Sequence, residues 1–251
     1  MKKQILLLLL ISFSFSNSFG QTIINTEALL KEIDSTFAFK LNIEGNVNFG
    51  NIEFGQLNNS LSIGKKINNS LLRLSFGYEY ISEDKEVLAD DWVGQIRLNK
   101  FYKKNSAFIF VQGQNVKSLK LLHRYLMGAG YRIRIKEKQT NYFDFSLGLF
   151  YEDELYEAEN LSQIEKYNYR YSLSSFSNFS ITEKFLLNTS IYYQINTEDL
   201  NDRRLFIEPR LYFDFTSFPI YLNLKYKYHS KPYVEILKSD TELTFGVEID
   251  F

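Results

Sequence analysis

The chain contains no cysteine. Disulfides, zinc–thiolate sites and the lipid-bearing cysteine of a lipoprotein are therefore excluded. Histidine is nearly as scarce. His123 and His229 are the two present, neither sits in a recognisable nucleophile motif, and no GxSxG occurs. On these grounds no enzymatic activity is expected, and no catalytic residue, metal ligand or cofactor is assigned. The formal net charge of −1 gives no basic surplus, so no nucleic-acid partner is expected. Beyond the first twenty residues, no run approaches the ~20 consecutive apolar residues that a bilayer-spanning helix requires.

Aromatic side chains are what the sequence has instead. There are 23 Phe and 18 Tyr against 12 Gly and 3 Pro, and yet the mean hydropathy is negative, at −0.24. A helical membrane protein would be strongly apolar overall. A membrane β-barrel need not be, because only every second strand residue faces lipid, and its two interfaces carry aromatic girdles.

Residues 1–20 have the plan of a signal peptide: Lys2 and Lys3, an apolar run over 5–11, then a small and polar approach to cleavage near Gly20. Residues 21–36 form a periplasmic lead-in or short helix, with Asn25 or Thr26 as its cap and Leu29, Leu30 and Ile33 on one face. Whether this segment plugs the barrel is left open. From Phe37 onward the pattern has a period of two and keeps it to Phe251. Tyr125, Met127, Ala129, Tyr131, Ile133 and Ile135, for example, alternate with Arg124, Gly128, Gly130, Arg132 and Arg134.

Twelve such runs predict an all-β fold: an antiparallel, up-and-down transmembrane β-barrel over 37–251. An even strand count is the bacterial rule, and several runs approach the ~9–11 residues of a tilted spanning strand. Four of the six odd-numbered links read as long surface loops, among them ISEDKEVLAD and EDELYEAENLSQIE. The acid clusters at Asp90–Asp91, Glu152–Glu154 and Glu157–Glu159 are accordingly expected to be exposed and solvated. Gly128-Ala129-Gly130 is not a phosphate cradle, since no helix follows it. Small residues within a strand ease a bend or crowding.

The face opposite the apolar one carries Lys40, Glu44, Arg73, Glu79, Arg97, Arg124, Arg132, Arg134, Asp144, Arg170, Glu208, Arg210, Lys225, Lys227, Glu248 and Asp250. Such groups are costly in lipid, so this parity is expected to face the lumen. Ten of the sixteen are basic, and rings of Arg and Lys favour anions. A salt-bridged, nearly closed lumen and a narrow pore are both compatible with this lining. At the C-terminal end, Phe245, Val247, Ile249 and Phe251 share the apolar face and read as an assembly signal.

Gln112-Gly113-Gln114, then Arg124, Gly128-Ala129-Gly130-Tyr131-Arg132 and Gly148 together resemble an uncharacterised family of exported proteins described as salt-induced outer-membrane proteins. The resemblance implies an outer-membrane barrel tied to osmotic or ionic stress, with no established substrate.

The resulting expectation is a barrel of the Gram-negative envelope acting as a narrow channel or as a structural, stress-related protein. Its partners would be outer-membrane lipid and the barrel-assembly machinery; its oligomeric state is open. A barrel enzyme acting on lipid or peptide and a soluble periplasmic β protein are the alternatives. Deleting Phe251 is expected to impair assembly more than any pore property, read as loss of the heat-modifiable band from detergent-extracted outer membrane. Normal insertion of the truncated chain would refute the assignment.

Overall fold

The computed structural model describes residues 37–48, 54–138, 141–158, 162–213 and 220–250. The signal peptide and lead-in expected over 1–36 lie outside them. Twelve strands close into one antiparallel barrel, each paired with its neighbours in sequence and β1 with β12. They are β1 (Phe37–Asn48), β2 (Phe54–Ile67), β3 (Ser70–Glu83), β4 (Glu86–Tyr102), β5 (Asn105–Val116) and β6 (Leu121–Lys138). The second half comprises β7 (Asn141–Glu157), β8 (Gln163–Ser180), β9 (Phe185–Asn196), β10 (Arg203–Phe213), β11 (Ile220–His229) and β12 (Ser239–Asp250).

Closure leaves no unpaired strand edge, which is the condition for placing β structure in lipid. The outward parity carries the apolar set. On β3 it exposes Leu72, Leu74 and Phe76, and on β6 it exposes Tyr125, Met127, Tyr131, Ile133 and Ile135. From Tyr125 to Ile135, at ~3.4 Å per residue and a tilt of ~40°, the outer face of β6 rises about 26 Å. That matches the apolar band of ~25 Å on membrane barrels. Tyrosines and the single Trp gather towards the end where β3 meets β4 and β7 meets β8: Trp92, Tyr125, Tyr167, Tyr169 and Tyr171. Phe37, Tyr102, Phe145 and Phe179 mark the other end. Tyr and Trp suit a membrane–water interface, having an apolar ring with a polar tip.

The links depart from the expected long loops. β3 and β4 are joined by Asp84 and Lys85 alone, both at positive φ (47° and 70°), as a two-residue hairpin of the right twist requires. β7 and β8 run on to Glu157 and from Gln163, so the sequence between Glu152 and Ile164 is mostly strand. The longest described link is 230–238, between β11 and β12. The charged residues that suggested solvated loops instead extend the wall: β6, β7 and β8 have 18, 17 and 18 residues, against 11 and 10 for β10 and β11.

Inside, several glycines let aromatic rings lie against the wall. A Cβ on Gly128 would stand 2.5 Å from the Phe150 Cβ and 2.8 Å from the Phe110 ring. One on Gly130 would stand 2.4 Å from the Phe108 ring and 2.6 Å from the Leu147 carbonyl oxygen. Gly148 pairs with Gly130 across the β6–β7 ladder. The outward Gly94 has nothing within 4 Å of its Cβ position. Gly130→Val is therefore expected to destabilise the barrel by about 2 kcal/mol or more through overpacking, and Gly94→Val to stay within ~0.5 kcal/mol of the wild type. The temperature at which the folded band is lost in a heat-modifiability series separates the two.

Candidate functional site

Alternation places the polar parity inside the barrel, and there the charges meet. Lys40, Glu44, Arg73, Arg97, Arg124, Arg132, Asp144, Arg170, Glu208, Arg210 and Lys227 are all buried. Glu79, Arg134 and Lys225 are half-buried on the same face. The backbones of Glu248 and Asp250 pair with Asn42 and Lys40; their side chains, that of Ile249, and Phe251 lie outside the described residues. Phe245 and Val247 are exposed on the outer surface.

Several interior groups escape a reading of the sequence: Asp91, Glu152, Glu154, Asp202, Arg204, His229 and Glu242, all buried. The first three belong to the acid clusters expected in solvated loops, and the structure corrects that expectation. Their parity carries the signal, because Glu152 and Glu154 continue the set Asp144, Ser146, Gly148 and Phe150, and Asp91 precedes Val93, Gln95 and Arg97. Among the described residues, five additional acids against one additional arginine narrow the expected basic excess and weaken the anion preference drawn from it.

The newly placed groups form the centre of the site. Arg124, Glu154, Arg204, Glu152, Arg170 and Asp202 alternate in sign as one continuous ladder reaching from β6 to the β9–β10 link. Arg124 pairs with Glu154, and Arg204 bridges Glu154 (3.0 Å) and Glu152 (2.8 Å). Arg170 then bridges Glu152 and Asp202, each at 2.5 Å. The Tyr156 hydroxyl donates to Glu154 at 3.0 Å. Buried ions are costly to desolvate and are retained only when paired and hydrogen-bonded. Here each arginine meets a carboxylate on one or both sides, and the ladder's formal charges sum to zero.

Asp202 stands at the top of β10, in the link. It accepts from Arg170, from Asn196 at 3.3 Å and from the Tyr233 hydroxyl at 2.6 Å, and it contacts His229 Nε2 at 2.9 Å. Burial alone would raise its pKa. The hydrogen bonds from His229 and Arg170 and the charge of Arg170 outweigh burial and hold the carboxyl below its ordinary range, so it remains a carboxylate.

Tyr233 belongs to the 230–238 link, which folds back over the ladder. Besides donating to Asp202, its hydroxyl accepts from Arg170 at 2.9 Å, and its ring meets Tyr156 edge-on at 5.7 Å. Val234 packs with Val116, Leu119, Leu121 and Tyr156, and Ile164 and Ile236 flank them. β5 lies six strands from β11 around the barrel, so this link crosses the mouth to reach the opposite wall. Its base is tied by Ser230 N–H to the Arg203 carbonyl (2.9 Å) and, at the exposed rim, by Lys231 to Asp199 (2.5 Å). The landing point is held by Asp91, whose carboxylate accepts from Lys117 N–H (2.7 Å) and the Ser118 hydroxyl (3.1 Å).

Two further charge clusters fill the interior below. Glu44 accepts from Tyr221 (2.9 Å) and Thr244 (2.5 Å) and pairs with Arg210 and Lys225; Lys225 also pairs with Glu242 at 3.3 Å. Asp144 lies between Arg132 (2.7 Å) and Arg134 (3.0 Å). Between the clusters the lumen retains cavities of about 80 and 100 Å³ on its two sides.

The apolar outer belt, closed ladder and charge-filled interior define a membrane-spanning β-barrel with a narrowed lumen. The chain belongs to the family described as "protein of unknown function, DUF481", which matches residues 33–251. No curated protein matches it in sequence. Among solved structures it is similar to the NanC porin, with a TM-score of 0.46 and 10% identity over 84% of this chain and 98% of that one. It is also similar to the KdgM porin in complex with disordered oligogalacturonate (0.45, 11%, 84% and 99%). The translocator domain of the autotransporter NalP from Neisseria meningitidis gives 0.46, 9%, 90% and 91%. These likenesses are of shape and carry nothing about function.

Glu152→Gln is expected to cost about 3–5 kcal/mol, since it leaves Arg170 and Arg204 with less carboxylate than the ladder needs. Adding Arg204→Met to that variant is expected to recover part of the loss by restoring balance. Urea unfolding midpoints in lipid vesicles read both, and a double variant worse than the sum of the two single changes would refute the ladder.

Proposed function

We propose that this protein is a non-catalytic outer-membrane barrel whose lumen is a narrow channel, gated at one mouth by the 230–238 link. The observation that carries this reading is the seat of Tyr233 and Val234: one hydroxyl on the ionic ladder, one apolar side chain in a pocket on the far wall. A loop with no role at the mouth has no need of both. The aromatic and apolar outer belt supports insertion in the outer membrane, and the signal peptide and assembly signal expected from the sequence would deliver the chain there.

The two histidines support this over catalysis. His123 lies on the outer face, stacked on Tyr125 and 3.8 Å from Asp153; His229 is taken up by Asp202. A tie to salt stress fits the rim of the gate. Lys231 and Asp199 are exposed, so their attraction falls as ionic strength rises, whereas the ladder beneath is screened far less.

In planar bilayers the wild-type protein is expected to show low or mostly closed conductance. A variant with 231–237 replaced by Asn-Gly is expected to conduct persistently. Equal, negligible conductance from both would assign the protein a structural role in place of a channel.

A further inference from the structure

Between the ionic ladder and the Arg132–Asp144–Arg134 cluster, the interior changes character. The cavity of about 80 Å³ there is lined by amides, hydroxyls, aromatic rings and a few aliphatic side chains, together with Arg97, Arg124, Glu152 and Arg204. Three glutamines cross it as a hydrogen-bonded file. Gln95 Nε2 donates to Gln112 Oε1 at 2.8 Å, and Gln112 Nε2 donates to Gln114 Oε1 at 2.7 Å. The file ends unsatisfied on both sides. Gln95 Oε1 and Gln114 Nε2 have no hydrogen-bond partner, although Gln114 is only 1% exposed. Amide orientation does not alter this, because reversing all three still leaves one acceptor at one end and one donor at the other.

Two buried, unsatisfied amide atoms facing a cavity cost ~1–3 kcal/mol each unless something fills them. We propose that the chamber is a binding site for a small uncharged polyol. At ~15 Å³ of such volume per molecule the space holds roughly five waters, so it also holds a short polyol chain. Water would satisfy the amides but leave the aromatic lining unexplained. Phe110 and Phe150 present rings 6.3 Å apart, brought to the wall by Gly128. A polyol has a C–H face for the rings and hydroxyls, each both donor and acceptor, for the two ends of the file. That combination of apolar walls and a few placed polar groups is what small-molecule sites use.

Arg97, Arg124, Glu152 and Arg204, which line the chamber, hold other protein groups. Arg204 holds Glu152 and Glu154, and Arg97 lies 3.9 Å over the Phe108 ring while donating to Asn99. An ion entering would shed its hydration for neutral dipoles and for charges already spent on one another, which is unfavourable. The proposal takes the channel reading as the solute's route of entry, but binding itself does not depend on conduction.

The test uses the full-length mature barrel, ¹⁵N-labelled and refolded in micelles with glycerol already present, so that entry past the mouth does not limit access. Saturable shifts of glutamine side-chain amide signals are expected in the wild type. Gln112→Leu, which cuts the file at its middle, is expected to weaken the apparent affinity by about tenfold or more. If that variant does not fold, Gln114→Met removes the free donor end and is read in the same way. Shifts that rise linearly with glycerol, stronger saturation with acetate or chloride, or no shift at all with water as the only occupant, would each overturn the proposal. Saturable shifts from a protein that never conducts would leave the binding site standing and remove the channel.

Discussion

A charge withdrawn from water inside a barrel wall is tolerated only when an opposite charge or close hydrogen-bond partners stand beside it, and the rest of this structure follows from that requirement. The outer face has no freedom, because lipid admits only apolar and interfacial aromatic side chains there. All ionic chemistry is therefore driven inward by the two-residue period of the strands. Three arginines and three carboxylates from β6, β7, β8, β10 and the β9–β10 link solve the problem jointly. No pair among them is independent, since Arg204 and Arg170 each serve two acids. Such sharing fixes the relative height of five chain segments and turns the interior of a tube into a packed core.

The same ladder gives the link above it a place to rest. Asp202 is both its last rung and the acceptor for Tyr233, so the mouth and the interior share one carboxylate. The apolar contact of Val234 sits beside Tyr156, whose hydroxyl in turn holds Glu154. Movement of the link would thus disturb the ladder at two rungs. Coupling of this kind travels through physical contacts that a substitution at either end can interrupt.

Strand number, closure and parity are legible because alternation sustained over more than two hundred residues suits a closed barrel and little else. The same rule, followed further along each strand, leads to the ladder. Glu152, Glu154 and Asp91 are harder to place, because runs rich in acids read as solvated loops. The fact that overrides this is tertiary: each acid faces an arginine contributed by a different strand, or the backbone of a neighbouring turn, and neither partner is adjacent in sequence. Arg204 is hidden for a related reason, since Asn201, Asp202 and Arg203 before it look like a polar loop. Gly128 and Gly130 relieve crowding, as small residues within a strand suggest, and the side chains that crowd them are Phe150, Phe110 and Phe108. The seat of the 230–238 link carries no sequence signal, because Tyr233 and Val234 acquire meaning only from a wall six strands away.

The join between β1 and β12 differs from every other seam in kind. Among the described residues, five pairs hold it, from Lys40 with Asp250 to Glu44 with Gly246, whereas β1 meets β2 through twelve. Every other seam joins strands that are neighbours in sequence, whereas this one joins the two that are farthest apart along the chain. Its formation carries the largest loss of chain entropy and is compensated, among the described residues, by the fewest ladder pairs. The barrel is in this sense a sheet rolled up and fastened by a short clasp. The clasp is the natural last event of assembly and the first to loosen under strain, and Glu44, which binds Thr244 and Tyr221 across it, acts as its pin.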